Sequence, residues 1–175
     1  RTKVQIGPKT GDPETFKDCE ELYAAFEQQL QFCEDTLRKE AWIASILCAE
    51  YLPVTWRSIL TGGCIENGTE VWNGGANYYT VAQIIVGGID AANGLMAVKH
   101  LVFDEKKLTM AELKKALAAN FEGEYEKVGK MCYEAPKHGN DIPEVNKFVR
   151  RVYDSILDAF NRVDGGGNYI SKDIK

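Results

Sequence analysis

The chain has 175 residues, 45% hydrophobic and 27% charged, with 21 Lys and Arg against 26 Asp and Glu for a net charge of −5. That is the composition of about one globular domain with a core, and its mild acidity excludes the basic stripe of a nucleic-acid surface. No run of about 18 apolar residues occurs, so no transmembrane helix is expected.

The opening RTKVQIGPKTGDP lacks both an apolar h-region and an initiator Met. A secretory signal is therefore not expected, and the chain reads as processed or cut from something longer. Residues 1–18 read as extended chain and turns, broken at Gly7-Pro8 and Gly11-Asp12-Pro13, with Thr15 or Asp18 placed to cap the next element. Leu22, Phe26, Leu30, Cys33, Leu37, Ala41, Ala44, Cys48 and Tyr51 then recur at steps of three and four, which predicts a helix over 18–52 that Pro53 stops. Such a helix runs roughly 50 Å, longer than the ~30 Å diameter of a small domain. It needs a coiled-coil partner or a larger body, and its small residues favour a piece of a larger chain.

Residues 56–61 form a short apolar run entering Gly62-Gly63-Cys64, read as a buried strand ending in a tight loop. Residues 66–80 are turn-rich, and 81–86 are apolar. Gly87-Gly88 precedes a predicted helix over 89–103 with Ala92, Leu95, Met96, Val98 and Leu101 inward. Thr109 and Glu112 form a capping box for a helix through Ala119, and another helix spans 125–133. After the polar loop 136–141, Pro143 opens an amphipathic helix with Val145, Phe148, Val149, Val152, Ile156, Phe160 and Val163 inward, which the triplet at Gly165 closes.

The five cysteines (Cys19, Cys33, Cys48, Cys64, Cys132) show no CxxC spacing, and His100 and His138 lie far from any cysteine group. No metal site is expected; reduced thiols in a cytosolic setting fit this pattern, each most simply a small buried hydrophobe. Cys64 and Glu66 stand two residues apart, on one face if the backbone is extended, as a nucleophile and its acid–base partner would. Without a nearby His the thiol lacks its usual activator. Gly74-Gly75-Ala76 beside Tyr78 and Tyr79 reads either as a pocket wall with polar handles or as a turn with two core-facing aromatics. Neither a GxGxxG sequence nor a Walker A loop occurs.

Several blocks carry a specific likeness. GCIENGTE at 63–70 followed by GGANY at 74–78 resembles the "CIEKGxD…GGAxYN" block of glycyl radical enzymes of the pyruvate formate-lyase type. TGDP at 10–13 with Phe16 resembles "TGDPxxF", and IDAANGLMAVK at 89–99 resembles "NVADSLAAIK". LVFDEKK at 101–107, the stretch 118–123 and the stretch 135–141 resemble "LVFEEKK", "LKANFEG" and "APKYGNDD". The blocks run in order along nearly the whole chain.

The resemblance implies part of a ten-stranded α/β barrel of two antiparallel half-barrels wrapped in helices, this segment being mostly helical with a few short strands. It implies a chemistry in which a backbone glycyl radical near the C-terminus passes its radical to a cysteine inside the barrel, whose thiyl abstracts hydrogen from a small organic substrate. No cofactor is implied to bind directly; a partner activase with an iron–sulfur cluster and S-adenosylmethionine installs the radical. The family is anaerobic, cytoplasmic and commonly homodimeric, with no nucleic-acid or membrane partner implied.

The family's radical-bearing "RVxGY" loop and its thiyl-cysteine "GCVE" loop are both absent from residues 1–175. The surroundings of Cys64 place it in a later block, so Cys64 and Glu66 are not assigned as that loop, and the chain reads as an internal segment, inactive alone. Tyr78, Tyr79, Gly75 and Ala76 are the expected substrate-binding residues, Tyr78 foremost. Tyr79 stands where the family usually has Asn, Trp72 where a small residue is common, and Asn93-Gly94 where it has Asp-Ser. This less polar neighbourhood predicts an aromatic or hydrocarbon substrate, as for an arylacetate decarboxylase or a fumarate-adding synthase. The alternatives are a formate C-acetyltransferase or a diol dehydratase and, in other classes, a helical interaction module or a thiol hydrolase.

Overall fold

The computed structural model of the protein describes residues 5–78 and 85–161, and among these there is no β-strand. The described residues fall into two compact units, one of residues 5–32 and 85–160 and the other of residues 33–78.

The first unit opens with a 3-10 turn, Pro13–Thr15, in which the Asp12 carboxylate accepts from the Glu14 N–H at 3.1 Å. Helix α1, Cys19–Tyr51, starts here. Asp18, rather than Thr15, is its cap: the carboxylate accepts from the Glu21 N–H at 2.9 Å, and Glu21 reaches back to the Lys17 N–H at 2.9 Å.

Helix α2, Thr55–Ile59, lies in the second unit. Helix α3, Gly88–Val98, continues as a π-helix over Lys99–Asp104, so the helix predicted over 89–103 changes its winding at Lys99. Helices α4, Met110–Ala118, α5, Glu126–Glu134, and α6, Pro143–Asn161, complete the first unit. The box predicted at the start of α4 is present in both directions, with Thr109 Oγ1 accepting from the Glu112 N–H at 3.2 Å and Glu112 accepting from the Thr109 N–H at 2.9 Å.

The main core joins Tyr23 of α1, Ala92 and Met96 of α3, and Val145, Phe148, Val149, Val152 and Ile156 of α6. Over Val145 to Ile156 the face of α6 is the predicted one, while Val163 and the triplet at Gly165 lie outside the described residues. The face of α1 keeps Phe26 and Leu30 of the predicted stripe against the core, but its most buried residue is Tyr23, absent from that stripe and only 1% exposed, while Leu22 is half-buried. Tyr23 can be buried because its hydroxyl is hydrogen-bonded to Ser155 at 2.9 Å and its ring meets Phe148 edge-on at 5.7 Å. Gly88 lets α3 approach α6, since a Cβ there would lie 2.9 Å from the Tyr153 ring. A second cluster packs Ala97 and Leu101 against Leu108, Leu113 and Ala135. Lys99 bonds Asp104 at 2.6 Å and Glu144 at 2.8 Å, and these two carboxylates, Asp104 first, hold its amine well above the ordinary lysine range.

In the second unit the latter part of α1 leaves Leu37, Ile43, Ile46, Leu47 and Tyr51 exposed among the described residues. The strand expected over 56–61 is instead helical. The Ser58 N–H donates to the Val54 carbonyl at 2.9 Å and the Leu60 N–H to Trp56 at 3.2 Å, which closes a helical turn right after Pro53. A short apolar run does not distinguish strand from helix by periodicity, and Trp56 and Leu60 are in fact exposed.

Candidate functional site

The segment between Gly62 and Tyr78 is a doubled loop braced almost entirely by its own backbone and short polar side chains. Its first lobe turns back on itself: the Asn67 N–H donates to the Gly63 carbonyl at 2.8 Å and the Thr69 N–H to Cys64 at 3.0 Å. Its second lobe begins with the 3-10 turn Val71–Asn73 and passes through Gly74 at φ 81°, in the left-handed region that glycine adopts freely. Two bonds stitch the lobes together. Asn67 Nδ2 donates to the Gly75 carbonyl at 3.0 Å, and the Asn77 N–H donates to Gly62 at 2.9 Å.

Two glycines make this contact possible. A Cβ on Gly75 would drive into the Thr69 carbonyl, and one on Gly63, whose φ is 99°, would lie 2.7 Å from the Asn77 backbone nitrogen.

The loop is tied to α2 through Glu70. Its carboxylate accepts from the Val54 N–H at 3.1 Å and the Trp72 N–H at 2.6 Å, with Ser58 Oγ at 3.3 Å. Ser58 Oγ in turn accepts from the Val71 N–H at 3.1 Å. Sequence reasoning passed over Glu70, Asn67 and Ser58. The available signal was the position of Glu70 immediately before Val71-Trp72-Asn73, where an acidic side chain caps a helical turn.

Of the expected substrate-binding residues, Gly75 is buried as the hinge of the second lobe, Ala76 is half-buried, and Tyr78 is 79% exposed at the end of the loop. Tyr79 lies outside the described residues, as do residues 81–84 of the apolar run. Trp72 is half-buried, with the Arg57 guanidinium 5.0 Å from its ring centroid.

The Cys64 and Glu66 pairing does not take the extended form. The backbone there is coiled in successive turns, so the alternation that would place both side chains on one face does not apply. Cys64 is 4% exposed, and the Glu66 carboxylate accepts from the Gly63 N–H at 3.0 Å as a local brace. Among the described residues no three His, Cys, Asp or Glu side chains gather as metal ligands, and no helix is long and apolar enough to cross a membrane.

Comparison with known proteins places this chain in a family. Residues 1–169 match the model described as pyruvate formate lyase-like, and the chain belongs to that family. It is 35% identical over 173 residues to trans-4-hydroxy-L-proline dehydratase of Clostridioides difficile, an alignment covering 96% of this chain and 22% of that protein. The glycerol-bound B12-independent glycerol dehydratase from Clostridium butyricum superposes with a TM-score of 0.83 at 32% identity, over 94% of this chain and 21% of that one. A glycyl radical enzyme from Archaeoglobus fulgidus superposes with a TM-score of 0.78 at 28% identity, over 91% and 20%. The chain thus spans about a fifth of the length of the relatives it matches.

Proposed function

We propose that these residues are an internal segment of a longer glycyl radical lyase that eliminates a hydroxyl or similar leaving group from a small polar substrate, and that the loop over 62–78 forms part of its substrate site. The reading is carried by the exposed polar edge of that loop, Asn73, Asn77 and Tyr78, in a chain 35% identical to a dehydratase along 96% of its length. A hydroxylated substrate leaves water only where donors and acceptors replace its hydration, and two amides and a phenol supply them.

The expectation of an aromatic or hydrocarbon substrate has less support. Trp72 is already engaged by Arg57, and Tyr79 lies outside the described residues.

In the intact enzyme, hydrogen-atom abstraction would come from a thiyl cysteine charged by a glycyl radical, on loops outside this segment. The segment's own task is to bind the substrate, orient it and keep water from the radical. Without those loops it turns nothing over. A separate activating enzyme, a homodimeric assembly and a cytoplasmic, anaerobic setting belong to the same proposal.

The test uses the full-length protein, activated anaerobically. Electron paramagnetic resonance should show a glycyl radical doublet. Assays with trans-4-hydroxy-L-proline, glycerol, propane-1,2-diol and an arylacetate should show turnover of a hydroxylated compound. Turnover of the arylacetate alone would replace the dehydratase reading with the decarboxylase one, and absence of the radical would remove both.

A further inference from the structure

We infer that Glu70 is a positioning residue for substrate binding, the group that holds the Tyr78 loop in its binding shape; this rests on the dehydratase reading of that loop. The observation is an asymmetry within one loop. Its edge is free, with Tyr78 79% exposed, whereas its base is tied to α2 through the Glu70 carboxylate, with the Ser58 hydroxyl beside it. One oxygen of Glu70 meets the Val54 N–H and the Ser58 hydroxyl on the α2 side, and the other takes the Trp72 N–H at 2.6 Å on the loop side. The backbone carbonyl of Glu70 adds two more restraints, accepting from the Asn73 N–H at 3.0 Å and the Gly75 N–H at 3.1 Å. Side chain and main chain of one residue therefore set where the second lobe leaves α2 and where its glycine hinge begins.

Hydrogen bonds to an ionised acceptor are the stronger kind, and a neutral side chain without an oxygen leaves the Val54 and Trp72 N–H groups to find water, while the Ser58 hydroxyl keeps the Val54 carbonyl at 3.0 Å. The loop would still form through Asn67 and Asn77, but its exit angle would be free to vary. A contact made equally in the ground and transition states, once loosened, is lost from KM and leaves kcat in place.

The experiment is steady-state kinetics on the activated full-length enzyme, with radical content measured on the same samples. Glu70→Ala should raise KM about tenfold, equivalent to ~1.4 kcal/mol, while kcat changes by less than about twofold. Its glycyl radical content should match the parent's. Glu70→Gln keeps the size but only one acceptor oxygen, its amide nitrogen facing a backbone N–H, and should raise KM by less than Glu70→Ala does. Should Glu70→Ala fail to accumulate as folded protein, Ser58→Ala removes the Val71 acceptor and the hydroxyl's bonds to Glu70 and Val54, leaves the Glu70 carboxylate on Val54 and Trp72, and should raise KM in the same direction. A parent-like KM in Glu70→Ala, or a radical content that falls in step with activity, overturns this inference while the dehydratase reading stands. A parent enzyme that gains no radical overturns the dehydratase reading and this inference with it.

Discussion

Arg151 of α6 grips Glu20 of α1 through two parallel hydrogen bonds of 2.8 and 2.6 Å. The same guanidinium lies 3.8 Å over the Tyr23 ring, and Tyr23 is the most deeply buried aromatic of the core that both helices share. One cation thus closes the rim of the α1–α6 contact and covers the ring beneath it.

The pair makes this contact pH-dependent. The Arg151 hydrogen bonds hold the Glu20 carboxyl below its ordinary range. Because the folded-state pKa lies below the unfolded one, the contribution is full above the usual glutamate value of about 4.3 and is lost as pH falls through the folded value. The side chains are 42% and 68% exposed, so solvent screening keeps the effect under about 1 kcal/mol. Thermal melts should show Glu20→Gln less stable than the parent at pH 7, with the gap narrowing as pH falls below the usual glutamate value. A gap that persists in acid would show that the bonds, not the charge, are responsible.

Removing the Tyr23 hydroxyl and removing its ring are separable. Tyr23→Phe loses the Ser155 partner and should destabilise by about 1 kcal/mol. Tyr23→Ala opens a cavity between Phe148 and Val152 and should destabilise by about 3–5 kcal/mol. Denaturant titration of the first unit's helical signal measures both, and similar losses for the two variants would contradict the packing described.

The Tyr78 loop should lose its bracing bonds on substitution at Gly75 and keep them on substitution at Gly68. Gly75→Ala pushes a methyl into the Thr69 carbonyl, so the Glu70 and Asn67 bonds to Gly75 must open, for about 1–3 kcal/mol. Gly68→Ala meets nothing within 4 Å and carries only the strain of φ 58°, about 1–2 kcal/mol. Hydrogen exchange should rise at the Gly75 and Asn77 amides in the first variant and stay near the parent's in the second. Equal exchange in both would dissolve the braced-loop account.

Thiol accessibility separates bland from reactive cysteines. Cys33 is exposed, while Cys19 and Cys64 are buried. Burial, with a lesser push from Glu20, raises the Cys19 thiol above its usual value. Alkylation of the folded chain followed by peptide mapping should label Cys33 well before Cys64. Preferential labelling of Cys64 would revive the thiol-nucleophile reading.

Much of this fold was legible because local chemistry and packing agreed. Pro53 lies just beyond α1, Thr109 and Glu112 box α4, and the apolar spacing of α6 is the face that packs. The failures share a cause. Tyr23 falls outside a stripe of threes and fours that starts at Leu22, and the Ser155 bond that lets its hydroxyl be buried comes from 132 residues away. Residues 56–61 read as a strand because an apolar run is ambiguous, and the bonds that decide it come from Val54 and Trp56. At the site, the glycine-rich loop and Tyr78 were visible as types. The Glu70 tie was not, since its Val54 and Ser58 partners stand 16 and 12 residues away.

The most direct measurement is a structure of the full-length enzyme with a hydroxylated substrate bound. The account predicts the loop over 62–78 against the substrate, with the Tyr78 hydroxyl within about 3 Å of a substrate polar atom. A bound substrate with Tyr78 turned into the protein or facing solvent, and no loop atom near it, would contradict the central claim.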